Sequence, residues 1–292
     1  MSAPAIAGEK PDLDHLRQWI GRSQEATDIV TAQLVKALRA TLFQDIGDPK
    51  PGDAAPFTTH WCLAQPVFPM SELSQDGHPT RGGFLPPVPL PRRMWAGGEL
   101  EFIEPLRVGD GSTRTSRISD VSLKTGSTGT LCFVAVHHEI TSPRGVAIRE
   151  RHDIVYREAT SGPQAAPKAP PVPPPAKHRE THVSDPVLLF RYSALTFNGH
   201  RIHYDRRYVT EVEGYPGLIV HGPLIATLLV DLVRRNAPGA FIKSFNFKAV
   251  RPTFDRHPLR INGAPSEDGK TVRLWAEDHE GWLTMQGTAE LA

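Results

Sequence analysis

Apolar positions change their period along this chain, and each period predicts an element. Between Asp28 and Phe43 they fall at Val30, Leu34, Leu38 and Leu42, a stripe at helical spacing that predicts a packing helix with Asp28 as its cap. From Leu100 onward the texture becomes β. Glu99–Pro105, Arg114–Lys124, Gly129–Ile140 and Val146–Tyr156 are predicted strands. The second alternates through Ser116, Ile118, Val121 and Leu123, and the third carries the buried run Leu131–Val136. Turns at Gly109-Asp-Gly111, Thr125-Gly126 and Ser142-Pro-Arg-Gly145 separate them, which fits one antiparallel sheet of about four long strands.

Between helix and sheet lies a Gly- and Pro-rich stretch. It runs from His60-Trp61 through Asp76-Gly-His-Pro79 and Arg81-Gly-Gly-Phe-Leu-Pro-Pro87 to Pro91-Arg-Arg-Met-Trp-Ala-Gly-Gly98. Prolines at this density predict a loop. Arg92, Arg93 and Trp95 on such a loop suit an anionic ligand, through paired donors and a stacking ring, and equally suit a solvated turn.

The stretch Ser161–Lys177 is too proline-rich to fold and predicts an extended spacer between halves of comparable size. The second half opens with the short apolar run Pro186–Phe190. His221-Gly222-Pro223 then leads into Leu224–Val233, apolar nearly all round, which predicts a buried helix with proline at its start and Arg234 and Arg235 at its C-terminal end. Ile242–Val250, Pro258–Asn262, Thr271–Glu277 and Trp282–Glu290 are predicted strands, the last two joined as a hairpin across His279-Glu-Gly281. A buried helix wrapped by a sheet, beside a similar sheet in the first half, suggests two copies of one unit. The first copy lacks an equally clean central helix, and its Pro-rich loop is expected in that place.

Composition removes several function classes. Net charge is +1, so no bulk electrostatic argument favours nucleic acid or a membrane surface. Apolar residues make up 39% and charged residues 22%, ordinary for a soluble globular chain, and no apolar run reaches the length of a membrane span. Cys62 and Cys132 stand apart without metal-ligand spacing, and the amino terminus has no targeting pattern. A reduced, cytoplasmic setting is expected. Neither a ligand cluster nor a Gly-rich phosphate loop points to a metal or other cofactor.

Candidate chemistry concentrates in Leu195-Thr-Phe-Asn-Gly-His-Arg-Ile-His-Tyr-Asp205 and in the helix start that follows. Polar residues gathered just before a helix start suit a site that moves protons and holds a developing negative charge. His203 can move the protons, since its ordinary pKa of ~6.5 lets it accept and return one. The Asn198 oxygen can hold water by accepting a hydrogen bond. The amide of Gly222, or of Leu224 beyond Pro223, can face a developing oxyanion at the positive end of the helix. His200 and His221 suit this site and also suit bonds to backbone carbonyls. Arg191 and Arg201 can grip a ligand carboxylate, and equally a phosphate or solvent. Asp205 is expected to orient Arg206, Arg207 or a backbone amide.

The pair Asn198…His203, followed by His221-Gly222, resembles the hydratase segment of the MaoC-like hot-dog superfamily, in which an acid stands five before a histidine and a glycine begins the central helix. The acid's place falls on Asn198, which cannot serve as a base. Leu189-Phe-Arg-Tyr-Ser-Ala-Leu-Thr-Phe-Asn-Gly-His-Arg-Ile-His-Tyr-Asp205 looks closer to one branch, the type 2 hydroxyacyl-thioester dehydratases and the mesaconyl- or itaconyl-CoA hydratases. His60-Trp61, Asp76-Gly-His-Pro79 and Pro91–Gly98 look like the amino-terminal domain of that branch. The resemblance implies an α+β double hot-dog. A non-catalytic, substrate-binding domain would span 12–160, the linker 161–178, and the motif-bearing domain 179–292. It also implies reversible hydration of a short enoyl-CoA, no cofactor and homo-oligomer formation through hot-dog packing. A hot-dog thioesterase and a non-catalytic acyl-CoA binding protein are the rival readings.

Overall fold

The structure, a computed structural model, describes residues 10–126, 129–158 and 175–292. The first half supplies β1 (Ser23–Ile29), β2 (Arg92–Phe102), β3 (Gly111–Gly126), β4 (Gly129–Ser142) and β5 (Gly145–Arg157). The second supplies β6 (His178–His182), β7 (Ile242–Ala249), β8 (Leu259–Pro265), β9 (Thr271–Glu277) and β10 (Leu283–Leu291). All pair antiparallel, in the order β1-β3-β4-β5-β2-β7-β10-β9-β8-β6. Read outward from the centre, the two halves follow the same order, and the pairing of β2 with β7 joins them into one sheet. The expected β9–β10 hairpin is present. The spacer expected at 161–177 lies almost wholly outside the described residues.

Four helices accompany the sheet among the described residues: α1 (Leu13–Arg17), α2 (Ala32–Thr41), α3 (Pro186–Leu195) and α4 (Gly222–Asn236). Asp28 does not cap α2. It lies in β1, where its carboxylate accepts from the backbone N–H groups of Ile29 and Ala64 at 2.7 and 2.9 Å, and Thr31 caps the helix through Leu34 N–H at 3.0 Å. The sequence stripe merges two elements because β1 runs into the helix across only Val30 and Thr31. The short apolar run at Pro186 belongs to a full helix, capped by Asp185 with proline at its start.

α4 carries the core. Every residue from Leu224 to Val233 is buried, and each large aliphatic among them contributes about 1.5–3 kcal/mol by leaving water. Its neighbours are the strands β6 to β10. In the first half α2 corresponds by order to α3. Only the 3₁₀ turns Thr59–Cys62 and Met70–Glu72 stand where the second half places α4. A smaller cluster built on Leu16, Trp19, Val88, Leu90 and Ile118 closes the outer part of the first half. The prolines around Val88 and Leu90 therefore line a core as well as a surface.

Candidate active site

The site begins where α3 ends. Phe197 adopts a left-handed conformation (φ +48°) one residue beyond the C-cap Thr196. Phe197 N–H bonds to Ala194 O at 3.3 Å and Asn198 N–H to Ser193 O at 2.8 Å, the paired closure of a Schellman turn. Glycine normally fills this place, yet Phe197 stands there with 62% of its surface exposed. The turn releases Asn198, whose side-chain oxygen accepts the His200 N–H at 3.0 Å. One lone pair of that oxygen is therefore committed to the loop itself.

His203 follows on a 3₁₀ turn, Arg201–His203, and is buried. Its Nδ1 lies 2.7 Å from the Ile219 carbonyl oxygen. A carbonyl only accepts, so Nδ1 carries the proton and Nε2 keeps a lone pair. That Nε2 makes no hydrogen bond within the described residues and is not sealed from solvent. Burial pushes the imidazole down to about 4, against the Ile219 bond, which favours the charged form. His203 is thus a neutral base at pH 7.

Its ring stacks on that of His221, centres 3.7 Å apart and planes 17° apart. His221 is fully buried, is the N-cap of α4, and shares a 2.8 Å hydrogen bond between Nε2 and Ser193 Oγ. Gly222 and Leu224 occupy the first turn. The first helical bond runs from Ile225 N–H to His221 O at 3.1 Å, and Pro223 has no N–H. First-turn amides lack an intrahelical acceptor and sit at the positive end of the dipole. The base and the helix head therefore share one locus.

A loop of the first half reaches the same place. The His78 ring lies 4.0 Å from that of His200, which meets His203 edge-on at 5.5 Å. His78 Nδ1 is 2.9 Å from Asp76 Oδ2, and the His78 backbone N–H donates to Asp76 Oδ1 at 3.0 Å. Burial, then the charge of Arg93, push His78 down to about 4 despite the pull of Asp76. Burial pushes His200 well below its ordinary range too. The sequence places Asp76 and His78 in the Gly- and Pro-rich loop and in the family resemblance, with no role at the site. The signal was local: an acid two residues before a histidine, across a glycine, can bond both its ring and its amide.

The arginines divide. Arg92 and Arg93 lie on β2 rather than on a loop, because the strand starts seven residues earlier than the predicted Glu99. Arg92 is tied to Glu213 (3.3 Å) and to the Tyr215 hydroxyl. The positive charge of Arg93 acts on Asp76, His78, His200 and the Tyr156 hydroxyl. Trp95, also on β2, stacks on His152 at 4.2 Å and meets Trp61 edge-on. Arg201 chelates Asp205 Oδ2 at 2.7 and 3.0 Å, donates to Gln75 O, and lies over the Tyr208 ring. Asp205 holds Arg201 and, as expected, a backbone amide, that of Tyr208, while the side chains of Arg206 and Arg207 pair with Asp255 and Glu211. Arg191 is exposed on α3.

Asp76, His78 and His200 could each offer a ligand atom to a metal, with those atoms within 4.8 Å of one another. Asp76 already bonds His78, and the positive charge of Arg93 beside both imidazoles opposes a cation. The donor set fits a proton-handling cluster better than a metal centre.

A sheet of two like halves around a buried central helix is the double hot-dog architecture. Residues 58–255 match the type 2 hydroxyacyl-thioester dehydratases, and the chain belongs to that family. It is 43% identical over 276 residues to the mesaconyl-C(4)-CoA hydratase of Chloroflexus aurantiacus, covering 94% of this chain and 96% of that one. A MaoC-like dehydratase from Phytophthora capsici superposes with a TM-score of 0.69 at 15% identity, covering 96% and 98%. A Mycobacterium tuberculosis protein described as a double hot-dog superposes at 0.57 and 13% identity, covering 94% and 96%. Both structural likenesses concern the fold.

Proposed function

We propose that this chain reversibly hydrates a short, branched dicarboxylic enoyl-CoA, mesaconyl-C4-CoA or itaconyl-CoA, giving citramalyl-CoA. The observation that carries the reading is the stacking of neutral His203 on the cap of α4. His203 Nε2 takes a proton from water as the water oxygen bonds to the β-carbon. The double-bond electrons move toward the thioester carbonyl, whose developing charge meets the amide of Gly222 or Leu224. One such donor lowers a barrier by about 2.7–4 kcal/mol. His203 then returns its proton to the α-carbon. Asn198 shapes the loop and offers its remaining lone pair to the water. Of the arginines, Arg93 has the best claim on the free carboxylate, since Arg92 and Arg201 are engaged by acids of the protein.

The choice of acyl chain leans on the Chloroflexus relative. A reducing setting such as the cytoplasm suits Cys62 and Cys132, both buried free thiols pushed up by burial to about 12 and 11. Among the described residues no helix is long and apolar enough to cross a membrane. The test is incubation of the purified protein with mesaconyl-C4-CoA while following both the enoyl absorbance and free thiol. Loss of absorbance without thiol supports hydration. Thiol release would replace it with a thioesterase, and binding with neither change would leave only an acyl-CoA binding module.

A further inference from the structure

Two imidazoles at this site are held in the same manner, and one of them comes from the half that carries no hydratase motif. His203 anchors Nδ1–H on the Ile219 carbonyl, and His78 anchors Nδ1–H on the Asp76 carboxylate. Each leaves Nε2 with a lone pair, no partner within the described residues, and contact with solvent. The His78 side chain keeps 16% of its exposure. His200 packs between the two rings.

The loop bearing His78 is fastened to the motif loop by backbone. Arg201 N–H donates to Asp76 O at 2.9 Å, and the Arg201 guanidinium donates to Gln75 O at 3.0 Å. Gly77 lies against Gly199 so closely that a Cβ there would fall 1.9 Å from the Gly199 carbonyl oxygen. Gly77 also has φ +88°, a conformation that glycine adopts freely. Placement of a carboxylate–imidazole pair over Asn198-Gly199-His200 is thus specified by both halves of the chain. Asn198, standing where the hydratase pattern has an acid, has one oxygen lone pair committed to the His200 amide.

We propose that His78, tethered by Asp76, is a second catalytic group of the hydratase site, supplied across the seam by the first half. The proposal rests on the hydratase reading above. In the hydration step the water oxygen bonds to the β-carbon and one water O–H bond breaks, its proton passing to His203 Nε2. The electron pair of the double bond moves toward the thioester, and that proton is then delivered to the α-carbon. The second water O–H stays intact and becomes the product hydroxyl. His78 Nε2 accepts the hydrogen bond from it and so aims the oxygen lone pair at the β-carbon. Asp76 fixes the tautomer that makes this acceptance possible.

Two conservative variants separate this role from a structural one. His78→Asn keeps a donor near the Nδ1 position for Asp76 but removes the acceptor at Nε2. His78→Gln places an acceptor near Nε2 while giving up the Asp76 bond. With enoyl-CoA as substrate, His78→Asn should lower kcat about 100-fold, in the range of one lost hydrogen bond at the reacting centre, and leave KM within threefold. His78→Gln should recover at least tenfold of that loss. Melting temperatures of both, compared with the wild type, separate misfolding from lost chemistry. A folded His78→Asn enzyme with wild-type kcat, or an order in which Asn restores activity and Gln does not, overturns the proposal. Failure of the wild-type protein to hydrate any enoyl-CoA would instead remove the hydratase reading beneath it.

Discussion

The His203 ring lies parallel to that of His221 at 3.7 Å, and His221 in turn caps α4. A base on one loop is thereby indexed to the amide head of the central helix. Stacking fixes the plane of the base, and the Ile219 carbonyl fixes its tautomer.

The first consequence concerns pH and rate. Burial holds His203 near 4 instead of the ordinary 6.5, so the base stays deprotonated through the mildly acidic range. The acid limb of kcat/KM should therefore fall near pH 4. A limb centred near 6.5 would show that His203 is solvated in the working enzyme.

Stability should follow pH with a defined sign. His78, His138 and His203 sit near 4 and His152 near 3, all pushed down first by burial. Between pH 6.5 and these values the unfolded chain binds protons that the folded chain refuses, so stability falls as pH falls. Each histidine contributes at most about 1.4 kcal/mol per pH unit in that window. Melting temperature should be level from pH 8 to 7 and drop steadily from 6.5 to 4.5. A flat melting curve across that lower window would contradict the buried neutral state of these rings.

Gly77→Ala should damage seam and rate together. The new methyl meets the Gly199 carbonyl, and the positive φ adds strain of about 1–2 kcal/mol. Thermal melting should drop by several degrees and kcat should fall more than tenfold. A folded variant with unchanged kcat would separate the Asp76–His78 loop from catalysis.

Phe197→Gly should act in the opposite direction on stability. Its left-handed backbone costs about 1 kcal/mol for a side-chain-bearing residue, and its ring is largely exposed. A gain in melting temperature is expected. A loss would mean that the exposed ring makes contacts worth more than the strain.

Much of this arrangement can be read along the chain. The run Leu224–Val233 announces a buried helix because it is apolar on every side, and the alternation after Leu100 announces strands. His203 and its distance to His221-Gly222 stand out for their chemistry. What remains hidden is long-range. Nothing local says that β2 pairs with β7, that Arg92 meets Glu213, or that Asp76-Gly77-His78 docks on Gly199. The start of β2 was obscured by Gly97 and Gly98, which read as loop residues but lie inside the strand. Asp28 was misread as a cap because a two-residue connection leaves helix and strand signals overlapping.

The most direct measurement compares wild-type protein and His203→Ala by loss of enoyl absorbance on mesaconyl-C4-CoA. Wild-type turnover without thiol release is expected, with kcat lowered about 10²- to 10⁴-fold in the variant at an unchanged melting temperature. Equal hydration by a folded His203→Ala protein would contradict the account at its centre.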